Sequence, residues 1–393
     1  MPAALTAFVA ALEAGSPLPD DVTLAWAALD AAGLGGGYRS AVCAAGGPLA
    51  VLRQGAIAAF SSPRRRRRVL EPQAIAQRLS LLGPWLDGGG LIVADDAALV
   101  RLADHPVFAL YARAPLPSPA APHVAIVGSR EAGPRTLMRV RRLAARLVAE
   151  GAVVVSGGAA GVDSAAHDGA RDAGGAVVVI SGRAIGPRVE PAPERGVSWV
   201  TPYPPWSPGV PTGRFAQRNA YIAAMADVTV AVCGGPRSGT RHTVLAANIF
   251  GRPVATLAPD PDEPALAPLS TMIVGADAGE LIDDDASLAT LLAIRVRPGA
   301  HARFLAALEA GVGAPVQRAL PLAVPGGHDV APPAAHPVVR LLEQRGALSI
   351  DDAAVALQQS VRELMADVAM LELDGAVRRD GALLALACVV GDS

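Results

Sequence analysis

Five short runs built of β-branched and small apolar residues recur along the middle of the chain: VAIV at 124–127, AVVVS at 152–156, AVVVI at 176–180, DVTVAV at 227–232 and RPVATLA at 252–258. A strand with one solvated face alternates apolar and polar residues, so runs that are apolar throughout belong to strands buried on both faces. Between them lie helical stretches. PRTLMRVRRLAARLVAE opens with Pro134, suited to a first helical turn, and puts Leu137, Val140, Ala144, Leu147 and Val148 on one face and Arg135, Arg139, Arg142 and Arg146 on another. GVDSAAHDGARDA reads as the next helix. Strands of this kind separated by helices predict an α/β fold with a Rossmann-like open parallel sheet, covered on both sides.

The chain has 393 residues, enough for two or three domains. Residues 1–113 read as a small helical domain, in which Leu24, Ala27, Ala28 and Ala31 keep helical spacing before the glycines Gly35, Gly36 and Gly37. Two short helices about such a turn either grip a DNA backbone or simply pack. The five arginines Arg64–Arg68 are either a solvated segment or an auxiliary nucleic-acid contact. Four prolines within 114–122 end regular structure, and the sheet domain is expected over 118–300. A helical extension and Pro/Gly-rich linker follow at 301–335, then a compact tail at 336–393. In that tail, Asp351 or Asp352 is expected to cap a short helix. A longer helix carries Val361, Leu364, Val368 and Leu371, and a hairpin turns at Arg379, Asp380 and Gly381. Three helices and a hairpin describe a winged helix, and the acidic character of its third helix makes a protein partner as good a reading as DNA.

Composition narrows the function. Hydrophobic residues reach 51% and charged residues 18%, yet no stretch of eighteen apolar residues occurs, so no membrane segment is expected. The N-terminus lacks the basic start of a signal sequence, which makes a cytoplasmic protein the expectation. Cys43, Cys233 and Cys388 are too far apart in sequence to suggest a disulfide framework or a cysteine metal site. Net charge is −2, but residues 118–260 hold 15 arginines against 9 acidic residues, and the chain has no lysine. A surplus of forked guanidinium donors suits phosphate.

The turns that follow the strands carry the chemistry. GSREAG at 128–133 fails the dinucleotide fingerprint, because Arg130 stands where the second glycine belongs. It also fails the P-loop, because Gly133 precedes Pro134 and Arg135, so no nucleotide cofactor is expected. Arginine at the carboxyl edge of a parallel sheet, where helix amides also face anions, fits a phosphate instead. Gly128, Ser129 and Arg130 form the first such turn, and Ser156, Gly157, Gly158 and Gly161 the second. Arg214, Arg218 and Asn219 are expected just ahead of a helix, and Ser238, Gly239 and Thr240 follow the fourth predicted strand. Phe215 is either a base-stacking ring or a core anchor. Asp163 and His167, at i and i+4, read as structural support; they supply neither a metal site nor, with Ser156, a catalytic triad, since the GxSxG elbow is missing. One mononucleotide needs one or two such turns, and a row of them fits a chain of phosphates better.

These residues resemble the DNA-processing protein A family, also called DprA or Smf. The resemblance rests on VAIVGSR, VVVSGGAAGVDSAAH, FAQRNAYIA, SGTRHTVLAANIFGRPV, LYAR at 110–113 and LLEQRGALSIDDAA…VAMLELDGAV. It implies a non-catalytic protein that binds single-stranded DNA, protects it during natural transformation, loads the RecA recombinase onto it and forms a homodimer through the Rossmann-like domain. The family's arginine of GSR falls on Arg130. Its SG-A-G-D-AH signature falls on Ser156, Gly157, Ala159, Gly161, Asp163, Ala166 and His167, its RN pair on Arg218 and Asn219, and its SG-T element on Ser238, Gly239 and Thr243. Departures include Gly158 in place of a leucine, Cys233-Gly234 in place of an acid, Ala220 in place of a second arginine and Gly133-Pro134 in place of Tyr-Gly. Two alternatives stay open: a nucleoside-monophosphate phosphoribohydrolase of the same sheet type, suggested by GGPRSGT, and a protein-interaction scaffold.

Overall fold

All five apolar runs are strands of one nine-stranded sheet, and each is buried along its whole length. The computed structural model describes residues 3–34, 38–55, 71–103, 105, 107–185, 194–207, 214–235, 238–312, 338, 341–342, 348–357, 377–380 and 383–386. The predicted features at Gly35–Gly37, Arg64–Arg68, the part of the 301–335 extension and linker after residue 312, and the third helix of the tail lie outside them. The strands are β1 Leu91–Val93, β2 Leu110–Ala112, β3 His123–Val127, β4 Val153–Ser156, β5 Val177–Ile180, β6 Val197–Thr201, β7 Val228–Ala231, β8 Val254–Leu257 and β9 Glu280–Ile282. Their order is β1-β2-β6-β5-β4-β3-β7-β8-β9. From β6 across to β9 every neighbour is parallel, and β2 joins β6 antiparallel.

Both faces of the sheet are covered. Helices Pro134–Ala149 and Val162–Asp172 bury Val140, Leu143, Leu147 and Ala166 against one face. Helices Arg214–Met225, Thr240–Ile249, Pro268–Gly275 and Ala300–Val312 bury Ile222, Leu245, Leu269 and Phe304 against the other. β6 was not anticipated from sequence. Its VSWVT pattern carries a serine whose hydroxyl is satisfied by the Pro115 carbonyl at 2.5 Å, a long-range partner that leaves no local signal.

By its contacts the chain divides into two compact units, Met1–Val316 with Leu320–Ala323, and Gln317–Ala319 with Val324–Ser393. Within the first, the N-terminal helices Ala3–Ala14, Val22–Ala31 and Pro72–Ser80 share a core with Phe108 and Tyr111, so this layer runs directly into β2. The 114–122 proline segment therefore connects two strands of one sheet. In the second unit, β10 Leu348–Ser349, β11 Val377–Asp380 and β12 Leu383–Leu386 pair in the order β10-β12-β11, beside the helix Ile350–Leu357. Its cap is Ser349 rather than Asp351 or Asp352. The Ser349 hydroxyl accepts the Asp352 amide at 3.0 Å and donates to the Asp352 carboxylate at 2.6 Å. A hydroxyl one residue ahead of the helix with an acid three residues on satisfies the first free amides better than an acid already inside the helix.

An acid in the N-terminal layer gives a pH prediction. The fully buried Tyr111 donates to the half-buried Asp30 at 2.8 Å. Burial pushes the Asp30 carboxyl from 3.8 up to about 7, against the opposing pull of the Tyr111 hydrogen bond and Arg78. A raised acid binds its proton more tightly in the folded state. Its contribution to stability is therefore complete below the unfolded value and is lost as pH rises through about 7. The stability of the wild type relative to Asp30→Asn should fall by ~1.4 kcal/mol per pH unit from about pH 4 to 7 and then level off. Urea denaturation of both proteins at several pH values measures this, and a difference that does not change with pH would disprove it.

Candidate nucleic-acid interface

The chain runs outward from β3 through β4 and β5 to β6, then returns to the other side of β3 through β7, β8 and β9. Connections thus diverge between β3 and β7, and a crevice opens above the carboxyl ends of these two strands. A cleft of about 770 Å³ occupies this place. It is lined by Gly128 to Glu131 from the β3 turn, Asp163, the face Phe215, Arg218 and Asn219 of the next helix, and Ser238 to Thr240 from the β7 turn.

Two glycines make the floor possible. The β3 and β4 turns cross so closely that a Cβ on Gly161 would lie 2.4 Å from the Ser129 carbonyl oxygen, and Gly161 has φ +83. The Val162 amide donates to that same carbonyl at 3.1 Å. On Gly128 a Cβ would collide with the Val162 side chain at 2.7 Å.

Asp163 locks the turns together. Its carboxylate accepts the Gly157 amide at 3.0 Å and the Ala159 amide at 3.3 Å. Burial pushes its pKa up to about 6, opposed by Arg218 and by the amides of Ala159, Gly157 and Gly128. Ser156 is fully buried and bonds to His167 Nε2 at 2.5 Å. Burial holds His167 down near 4, so at neutral pH the ring is uncharged. This pair ties the Val162–Asp172 helix to β4 and does not line the cleft. Gly157 and Gly158 also stay behind the lining. A Cβ on Gly157 would strike the Arg218 guanidinium, and Gly158, at φ +68, packs under Val179 and Trp199.

Arg218 reaches the cleft wall but is only 5% exposed. Its Nη1 donates to the Gly157 carbonyl and, at 2.6 Å, to the Ile180 carbonyl, so it clamps the ends of β4 and β5. Asn219 donates to the Gly239 carbonyl at 3.1 Å and fixes the β7 turn. There Ser238 Oγ donates to Thr240 Oγ1 at 3.0 Å and accepts the Thr240 amide at 3.3 Å, setting the start of the Thr240–Ile249 helix. Arg214 lies over the Tyr203 ring with 4.5 Å to its centroid and donates to Ser207. Phe215 is 40% exposed on the cleft wall.

Arg130 differs from all of these. It is exposed at the cleft and has no hydrogen bond or ion pair among the described residues. By contrast, most of the arginine stripe on the Pro134–Ala149 helix is neutralised within the fold. Arg135 faces Asp260 and Asp262, Arg139 pairs with Asp284, and Arg146 pairs with Glu150. Sequence reasoning missed Ala265 and Leu266, apolar residues beyond β8 that close one side of the cleft, because nothing local marks them as lining. Among the described residues no group of acidic, histidine and cysteine side chains could hold a metal, and no helix is long and apolar enough to cross a membrane.

The sheet and its cleft define a doubly wound α/β protein with a ligand crevice at its switch point. Residues 95–289 match the family model of DNA recombination-mediator protein A. Over 324 residues the chain is 32% identical to a protein of Mycobacterium tuberculosis named as the DNA processing protein DprA, covering 75% of this chain and 76% of that one. The chain belongs to the DNA recombination-mediator protein A family. The X-ray structure of DNA processing protein A from Streptococcus pneumoniae, 23% identical, covers 65% of this chain and 92% of that one at a TM-score of 0.51, in agreement on the fold. A structure of the Helicobacter pylori protein, described for its single-stranded DNA binding mode, is 21% identical and covers 49% of this chain and 90% of that one at a TM-score of 0.43.

Proposed function

We propose that this chain is a cytoplasmic recombination mediator that binds single-stranded DNA along the carboxyl rim of its sheet, protects it and loads RecA recombinase onto it in transformation or recombination. The observation that carries this reading is Arg130, an exposed guanidinium without a partner among the described residues, lining a cleft in which Asn219, Ser238 and Thr240 are held in place. A partnerless fork beside helix amides suits a phosphate. In this reading Gly128, Ser129, Arg130, Ser238, Gly239 and Thr240 meet phosphates, and Phe215 offers a stacking face. Arg218, Asn219, Asp163, Ser156, His167 and the glycines Gly157, Gly158 and Gly161 hold the shape, with Arg214 at the margin. Residues 118–300 form the DNA-binding body and the site of homodimerisation, and residues 336–393 form a winged helix that meets DNA or protein. The reading includes no catalytic step, cofactor or metal.

Phosphate contacts release counterions, so affinity for a single strand should fall with salt with a log–log slope of about −0.7 for each phosphate neutralised. Fluorescence anisotropy with an unstructured oligonucleotide and a blunt duplex, across a salt series, tests the proposal. The single strand is expected to bind more tightly; equal or tighter duplex binding, or no binding at low salt, would refute it.

A further inference from the structure

The segments flanking the cleft on its two sides differ in charge. Toward β8 the segment 258–263 contributes Asp260, Asp262 and Glu263, and Glu131 lies on the adjoining turn. One arginine, Arg135, already faces Asp260 at 3.6 Å and Asp262 at 3.5 Å, and the Glu263 carboxylate holds the Gly133 amide at 2.9 Å. A polyanion leaving in that direction would meet a surplus of negative charge. Toward β5 and β6 the described residues 180–185, 201–207 and 214–219 contain Arg183, Arg214 and Arg218 and no acid.

Arg183 stands out on this second side. Ser181 fixes its backbone twice, accepting the Arg183 amide and donating to the Arg183 carbonyl, each at 3.0 Å. Thr201 Oγ1 in turn donates to the Ser181 carbonyl at 3.2 Å, so the turn is braced from β6. The side chain is exposed and makes no hydrogen bond or ion pair among the described residues. The turn abuts the exposed ring of the cleft wall, since a Cβ on Gly182 would lie 2.8 Å from Phe215. β3 and β5 are two strands apart, so the bases of the Arg130 and Arg183 turns are separated by roughly 10 Å, a stride that Phe215 bridges.

We propose that single-stranded DNA leaves the cleft over the β5 turn rather than over β8, and that Arg183 holds the next phosphate along that path. This rests on the reading of the cleft as a single-strand site. Arg183 completes a line of guanidinium, aromatic ring and guanidinium along one rim, which is the combination that single-strand grooves use: charge for the backbone, a flat face for a base.

The test is a length series of oligothymidylates measured by anisotropy with the full chain, wild type against Arg183→Ala and Asp262→Ala. Tracts long enough to pass beyond the cleft should bind Arg183→Ala about tenfold more weakly, with a salt slope shallower by about 0.7, the loss of one phosphate contact. The shortest tract that still binds should be affected less than twofold. Asp262→Ala should leave the gain of affinity with length unchanged. Equal loss for short and long tracts, or none, overturns the role of Arg183. A length-dependent gain that grows in Asp262→Ala and persists in Arg183→Ala overturns the direction. If the wild type binds no oligothymidylate, the single-strand reading itself fails, and this inference fails with it.

Discussion

Replacing Arg39 with alanine is expected to lower the thermal unfolding midpoint of this protein by roughly 5–8 °C, although Arg39 lies outside the cleft. Arg39 is 8% exposed and sits where the N-terminal helices meet the strand that joins them to the sheet. Its Nη1 donates to the carbonyls of Val107 at 3.1 Å and Phe108 at 2.7 Å, and its Nη2 to the Ala94 carbonyl at 2.5 Å and to Asp96 at 2.7 Å. The guanidinium also lies over Trp26, 4.2 Å from the ring centroid. Truncation strips the donor from three backbone carbonyls and leaves a void beside Trp26, and each buried acceptor left unsatisfied costs about 1–3 kcal/mol. With incomplete relaxation the sum is about 3–5 kcal/mol. Arg39→Lys keeps the charge but cannot span three carbonyls with a planar fork, so it should recover only part of the loss. Calorimetry of the three proteins decides the matter, and a midpoint within 2 °C of wild type for Arg39→Ala would show that the carbonyls find other donors.

Arg39 also marks where sequence reasoning stops. The five strands β3, β4, β5, β7 and β8 were legible because burial on both faces demands an unbroken apolar run. The strands β1 and β2 were not, since the three residues of each sit within a segment dominated by helical spacing. The rim turns were legible from glycine and hydroxyl residues after each strand. The division of labour among their arginines was not. Arg218, expected just ahead of a helix but lying within Arg214–Met225, reads like a phosphate clamp, yet the carbonyls that absorb it are 61 and 38 residues earlier in the chain. Ser156 reads like a phosphate ligand for the same reason, while its true partner, His167, is placed by the helix that follows. The basic stripe 135–146 showed the correct helical face, but the acids that neutralise it come chiefly from residues 260–284 and are brought in by β8 and β9. A local charge count records side chains and misses what tertiary structure pairs with them.

Arg130 escapes that pairing at the cleft itself, and its reversal should have the largest functional effect. Arg130→Glu places a carboxylate where an anion is expected to approach the β3 turn. It thereby removes one charge-assisted fork and adds repulsion beside the helix amides of the β3 turn. Affinity for single-stranded DNA should fall roughly 10- to 100-fold, uniformly over oligonucleotide sequences, because phosphate contacts carry no base information. Arg130→Gln removes the attraction alone and should show an intermediate loss, with the salt slope shallower by about 0.7. The control is Arg195→Glu. Arg195 is equally exposed and without an ion pair among the described residues, but it precedes β6 and so lies at the amino-terminal rim of the parallel sheet, opposite the cleft. Its reversal changes net charge by the same amount and should weaken binding no more than about twofold. The same three proteins then enter an assay of RecA filament growth on an oligonucleotide already coated with a single-strand-binding protein. If loading depends on strand capture at the rim, Arg130→Glu loses the acceleration while Arg195→Glu keeps it. Equal losses for the two reversals would mean that only overall charge matters, and the cleft would lose its claim to the strand.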